Sequence, residues 1–241
     1  MKDWYEQWFN TDYYHYLYSH RDEAEAEAFL LLLKNNWKFG PKALDVACGR
    51  GRHSVILHQL GYDVTGLDLS SKNIAFAKKE EKEKLVFVEG DMLKDIPVQS
   101  YDLIVNLFTS FGYLESKEHD RAALASMLGG LRKGGVLVLD FLNATKAKKD
   151  LELGQEKSLF TAGLRFSWIK TIKGDCICKE ISVLDGDRLR IYKESVRLHG
   201  LQDFQQMATE LNATILHTFG NYYLEPFDPD ESDRLILFFS A

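Results

Sequence analysis

Residues Ala43 to Ser54, ALDVACGRGRHS, place the tightest constraint on what this chain can fold into. Leu44, Val46 and Ala47 read as the end of a buried strand, and Gly49 and Gly51 follow at once. Arg52-His53-Ser54 then leads into the apolar run Val55-Ile56-Leu57. The order is strand, glycine turn, helix. Glycine permits backbone angles that other residues avoid and lets a ligand approach the chain closely. The helix points its unpaired N–H groups back at the same turn. A polar ligand therefore belongs at the top of this strand.

GRGRHS is nearly a dinucleotide fingerprint, with Ser54 where a third glycine would stand and Asp68 at a suitable distance downstream, so a nicotinamide reading is available. Asp45 argues otherwise. It sits inside the strand, four residues before Gly49. A carboxylate there must face a cation or a hydrogen-bond donor. A pyrophosphate would be repelled by it, whereas an ammonium group would not.

Short apolar strands alternate with helical segments: strand 42–47, helix 51–60, strand 62–67, a helix capped by Ser70 or Ser71, strands 85–89 and 101–107, helix 118–132 and strand 136–141. This pattern predicts parallel βαβ units in a doubly wound α/β sheet. Such sheets bind ligands at the carboxyl ends of their strands, where Asp45, Asp68, Asp91 and Asn106 all fall. From Leu164 the texture changes to a period of two. Gly174-Asp175 and Asp185-Gly186 are turn signals, and they predict a three-stranded antiparallel insertion over residues 160–197. Leu164, Phe166 and Trp168 would share one face of it, as would Ile177, Ile181 and Val183. A helix at 200–212 and strands at 213–220 and 233–240 close the chain. The expected domain is therefore 1–159 with 198–241, interrupted by the insertion.

LDVACGRG resembles the first motif of the class I, Rossmann-like S-adenosylmethionine-dependent methyltransferases. VTGLDLS (64–70), FVEGDML (87–93), YDLIVNLF (101–108) and LRKGGVLVLDF (131–141) resemble the family's later motifs in order. Ala47 departs from the family's usual first glycine. The resemblance implies a seven-stranded, mostly parallel sheet whose last two strands form an antiparallel edge hairpin. It also implies S-adenosyl-L-methionine as cofactor. Ala47, Gly49 and Gly51 would then border the methionine part, and Asp45 would favour its ammonium. Asp68, followed by Leu69, would accept the ribose hydroxyls. Asp91 would take the adenine amino group, with Met92 on the ring. Asn106 and Leu107 would lie near the methionine amine and the transferring methyl.

Residues 1–20 are crowded with aromatics, among them Trp4, Trp8, Phe9, Tyr14 and Tyr18. They read either as a packed segment or subunit contact, or as a lid formed by residues 1–35, since the resemblance implies an N-terminal Tyr-rich helix that closes the site and, in the tellurite-resistance type, an Arg on the methionine carboxylate. Arg21, beside Tyr14 or Tyr18, is the candidate for the methionine carboxylate, since a guanidinium suits a carboxylate fork. The fourth block, NLFTSFGYL, lacks the Asp/Asn-Pro-Pro-aromatic sequence of enzymes that methylate base amines or glutamine amides. With the net charge of −6, this favours a small-molecule acceptor over a nucleic acid. A tRNA or protein acceptor is the alternative. Phe108, Ser110, Phe111 and Tyr113 are candidate acceptor-pocket residues. His53, His119, His199 and Tyr113 are the candidate bases, each more often a packing residue than a catalyst.

Cys48, Cys176 and Cys178 form no CxxC pair and read as small packing residues in a reducing cytoplasm. No metal constellation, signal peptide or membrane-spanning run is seen in the sequence, and a homodimer is possible.

Overall fold

The computed structural model describes residues 4–18, 23–152 and 156–241. The chain opens with α1 (Trp4–Phe9), α2 (Asp12–Leu17) and α3 (Glu23–Asn36). There follow β1 (Lys42–Val46), α4 (Arg52–Gln59), β2 (Asp63–Asp68), α5 (Ser71–Ala77), β3 (Leu85–Glu89), β4 (Tyr101–Asn106), α6 (Lys117–Gly130) and β5 (Leu131–Leu142). Next come α7 (Ala144–Glu152), β6 (Lys157–Thr161), β7 (Leu164–Lys173), β8 (Cys176–Asp185) and β9 (Arg188–Arg197). The chain closes with α8 (Leu201–Glu210), β10 (Thr214–Phe219) and β11 (Arg234–Ser240).

Seven strands form one sheet in the order β10-β11-β5-β4-β1-β2-β3. Strands β1 to β5 run parallel, and β11 enters antiparallel between β5 and β10. The buried runs of β1, β4 and β11 are apolar on both faces because helices cover both sides, as a parallel sheet requires. Leu124, Met127, Phe141 and Phe204 fill one layer, while Leu30, Leu57, Val105 and Phe238 fill the other. The chain order reverses between β1 and β4, which opens a crevice at their carboxyl ends.

Three expectations are corrected. The insertion has four strands in the order β6-β7-β8-β9, beginning at Lys157 rather than 160. Its first strand, KSLFT, is short, and Ala162 and Gly163, both at positive φ, turn it directly into β7. Helix α7, absent from the expected elements, follows Asn143, whose side chain accepts from the Thr145 N–H. It buries Ala144, Ala147 and Leu151 against Ile177 and Leu198. Strand β5 begins at Leu131 rather than 136, with an irregularity at Gly134-Gly135. Among the described residues, no helix is long and apolar enough to cross a membrane.

The insertion turns Leu164, Phe166, Ile181 and Val183 toward the N-terminal segment, where they pack around Trp8 and Leu17. Cys176 and Cys178 alternate with these inward residues and lie on the opposite, outward face.

Candidate active site

The crevice holds a cavity of about 440 Å³, within the range of small-molecule sites. Ala47 and Gly49 after β1 border it, together with Asp68, Leu69 and Ser70 at the end of β2. Glu89 ends β3, Asp91 and Met92 follow it, and Phe108 to Leu114 follow β4. Phe9, Asn10 and Tyr14 border it from the N-terminal segment.

The turn after β1 is left-handed at Ala47 (φ 57°), Gly49 (φ 57°) and Gly51 (φ 86°). Only Ala47 bears a side chain there, which explains why glycine suits its position. The two glycines do different work. A Cβ on Gly49 would meet nothing within 4 Å, so its backbone is open to the cavity. A Cβ on Gly51 would stand 2.6 Å from the Phe87 ring. Gly51 is therefore required by helix-to-sheet packing, and it does not border the cavity.

Asp68 is the carboxylate that ties this turn to β2. Its Oδ2 accepts from the Gly49 N–H at 2.8 Å and its Oδ1 from the Ser70 N–H at 2.8 Å. Burial raises its pKa, and these two bonds, with a third from the Asn73 side chain, oppose the rise. A carboxylate has about four acceptor positions, so these three bonds leave one. Asp91 Oδ1 accepts from the Leu93 N–H at 2.9 Å, so this acid shapes its own turn as well as bordering the cavity.

Asp45 is not on the cavity rim. It is 1% exposed and accepts from Ser54 Oγ at 2.7 Å beneath the turn. Burial pushes its carboxyl up to about 7. Its strand position looked end-like in sequence, but the chain continues past it, and its donor is a serine of α4. Asn106 and Leu107 are also buried behind the rim. Asn106 Nδ2 donates to the Val46 carbonyl at 3.0 Å and so spaces β4 against β1. Arg21 lies outside the described residues.

The segment after β4 is held in an unusual shape. Phe108 and Thr109 both have positive φ, at 58° and 60°. Such angles cost energy in side-chain-bearing residues and persist only when the surroundings enforce them. Asp140 does so here. Its Oδ2 accepts from the Phe108 N–H at 2.7 Å and from the Tyr222 hydroxyl at 2.8 Å. Its Oδ1 accepts from Arg234 Nε at 2.8 Å, and Arg234 reaches on to Thr109 Oγ1 at 2.7 Å. Further along, the Arg197 guanidinium donates to the Leu114 and Glu115 carbonyls, both at 3.1 Å, and to Asp120 at 3.0 Å.

Of the candidate bases, only Tyr113 borders the cavity. His53 stacks on Phe108 at 4.9 Å, and His199 meets buried Asp120 at 2.8 Å. His119 lies in the exposed first turn of α6 beside its Ser116 cap. Glu89, Asn10 and Asn73 border the cavity and were missed in the sequence. The position of Glu89 as the last residue of the third strand was the available signal.

The N-terminal segment is anchored on both sides. Trp8, fully buried, donates from its indole to Glu194 at 2.6 Å, and the Tyr18 hydroxyl donates to the same carboxylate at 2.8 Å. On the sheet side, Arg50 meets Asp12 at 2.7 Å, His15 meets Asn73 at 3.1 Å, and Ser70 Oγ donates to Asn10.

The strand order and the antiparallel β11 are those of the class I, Rossmann-like methyltransferase fold. Residues 43–135 match the family described as "Methyltransferase domain". Among curated proteins, the glycine N-methyltransferase of Rattus norvegicus is 36% identical over 137 residues, covering 50% of this chain and 46% of that protein. A dTDP-3-amino-3,4,6-trideoxy-α-D-glucopyranose N,N-dimethyltransferase of Streptomyces venezuelae is 32% identical over 117 residues, covering 48% of this chain and 49% of that protein. The chain thus spans about half the length of the curated relatives it matches. Among solved structures, an S-adenosylmethionine-dependent methyltransferase from Clostridium acetobutylicum superposes with a TM-score of 0.80 at 18% identity, covering 95% of this chain and 96% of that chain. The shared fold therefore extends well beyond the stretch with recognisable sequence.

Proposed function

We propose that this protein transfers a methyl group from S-adenosyl-L-methionine to a small-molecule acceptor. The observation that carries the reading is the pairing of Asp68 with Gly49. A half-buried carboxylate with acceptor capacity to spare stands beside a backbone stretch open to the same cavity. This arrangement fits a ribose diol next to an amino-acid moiety. Solved structures of similar fold are described as S-adenosylmethionine-bound, the amino-pentose methyltransferase CalS10 among them (TM-score 0.63, 20% identity).

In this reading Asp68 accepts from the ribose hydroxyls, and Leu69 packs beside them. Asp91 accepts from the adenine amino group, and Met92 lies on the ring. Ala47, Gly49 and Tyr14 border the methionine part. Arg21 remains the proposed partner of the methionine carboxylate. Asp45 acts from below, by holding Ser54 and the turn. When bound, the cofactor supplies an activated methyl on a positively charged sulfur. The protein's task is to align the acceptor with that methyl and exclude water, and alignment is worth about 7–11 kcal/mol in such reactions. The segment locked by Asp140 supplies rigidity where the acceptor would enter. A homodimer belongs to the same reading. It would be sought on the outward face of the insertion, where Phe160, Leu189 and Ile191 are exposed, and sedimentation velocity tests it.

Calorimetric titration separates this reading from a nicotinamide enzyme. S-adenosylhomocysteine is expected to bind and NAD is not. Asp68→Ala is expected to weaken S-adenosylhomocysteine binding by at least tenfold, about 1.4 kcal/mol. Unchanged affinity in that variant rejects the assignment.

A further inference from the structure

We propose that the corner of the cavity formed by Phe9, Tyr14 and Tyr113 is the acceptor subsite, and that it takes a basic amine. This deepens the methyltransferase reading and rests on it. All three rings border the cavity. Phe9 stands nearly perpendicular to both partners, with centroids 4.9 Å and 81° from Tyr14 and 5.2 Å and 79° from Tyr113. Trp4 backs the corner, 5.7 Å from Tyr113 and 5.9 Å from Phe9. Rings meeting at right angles present electron-rich faces from more than one direction, the arrangement that attracts an organic cation.

Among the described residues, the charged groups that border the cavity are Asp68, Glu89 and Asp91. An acceptor bearing a carboxylate or phosphate would enter against three carboxylates, whereas an ammonium would be drawn in. The corner is also fixed in place. Gly112, at φ 83°, accepts from the Arg197 N–H at 2.8 Å, and the Arg197 side chain holds the next two carbonyls after Tyr113.

The chemistry agrees. An arriving ammonium first gives a proton to water. The nitrogen lone pair then forms the N–C bond to the methyl carbon as the C–S bond breaks, and that electron pair stays on sulfur as a thioether. Positive charge passes from sulfur to nitrogen, so the wall attracts a cation before and after the step. The protein need not accept a proton during bond formation. An alcohol acceptor would need a base there.

The test uses choline and its neutral isostere 3,3-dimethyl-1-butanol as probes, titrated into the full-length protein saturated with S-adenosylhomocysteine. Choline is expected to bind about tenfold more tightly. Phe9→Leu and Tyr113→Leu are each expected to reduce that ratio to near one. S-adenosylhomocysteine binding by both variants verifies that they are folded. Equal binding of the two probes, binding of neither, or a ratio unchanged in both variants overturns the proposal. A second arm compares S-adenosylmethionine with S-adenosylhomocysteine in Phe9→Leu. An unchanged affinity ratio supports an acceptor subsite, whereas selective loss of the sulfonium form gives the corner to the cofactor and overturns it. Failure of S-adenosylhomocysteine to bind the unaltered protein is read separately, against the cofactor assignment.

Discussion

Ala47 and Asp45 carry costs that a single substitution can expose. A left-handed alanine costs about 1–2 kcal/mol, and glycine returns part of this through its freer unfolded chain. Ala47→Gly is therefore expected to raise stability by about 0.5–1 kcal/mol in urea unfolding. Asp45 is pushed up to about 7 by burial, so the folded state favours its neutral form. That contribution is complete below the ordinary carboxylate range and is lost as pH rises from about 4 to about 7. Asp45→Asn keeps an acceptor for Ser54 and removes the titration. Unfolding at pH 5 and pH 8 should therefore show the variant gaining about 1–3 kcal/mol relative to the parent. An identical pH slope in both proteins contradicts this account. Sequence alone made Asp68 and Gly49 legible, because a strand end and a glycine turn have local signatures. The burial of Asp45 depends on how α4 lies over β1, and the packing role of Gly51 depends on Phe87, 36 positions away in the chain. Neither has a local sign.

Elements differ in how they are held. The segment after β4 is enforced by Asp140, which is fully buried beside Arg234. Asp140→Asn leaves a guanidinium without its counter-charge and is expected to cost about 3 kcal/mol, read by denaturant unfolding. Tyr222→Phe removes one hydrogen bond and should cost about 1 kcal/mol. The N-terminal helices are too short to persist alone and depend on docking. Trp8→Ala empties the centre of that contact. Limited proteolysis should then cleave within residues 4–18 while the sheet stays intact. Strong periodicity made the parallel strands and the antiparallel insertion readable. Strand β6 and helix α7 escaped because one is five residues long and the other, ATKAKKDLE, is rich in lysine. Its small apolar stripe gains meaning only against Ile177 and Leu198.

For the whole molecule, ligand occupancy should be visible as stability. S-adenosylhomocysteine at a hundred times its Kd is expected to add about 2.7 kcal/mol. For a chain of this size that corresponds to a rise in Tm of roughly 5–10 °C. NAD at the same concentration should leave Tm unchanged. The family resemblance made the sheet order foreseeable, but not the way the two sheets cooperate. Glu194 and Arg197 sit three positions apart on β9. The first fastens the N-terminal segment, and the second fastens the segment bearing Tyr113. One strand therefore suspends both walls of the proposed acceptor corner, while the turns proposed to face the nucleoside belong wholly to the other sheet. Selectivity and cofactor use are mechanically separable in such a design. A chimera that receives a foreign β6–β9 unit should acquire a new range of acceptors without having to relearn its methyl donor.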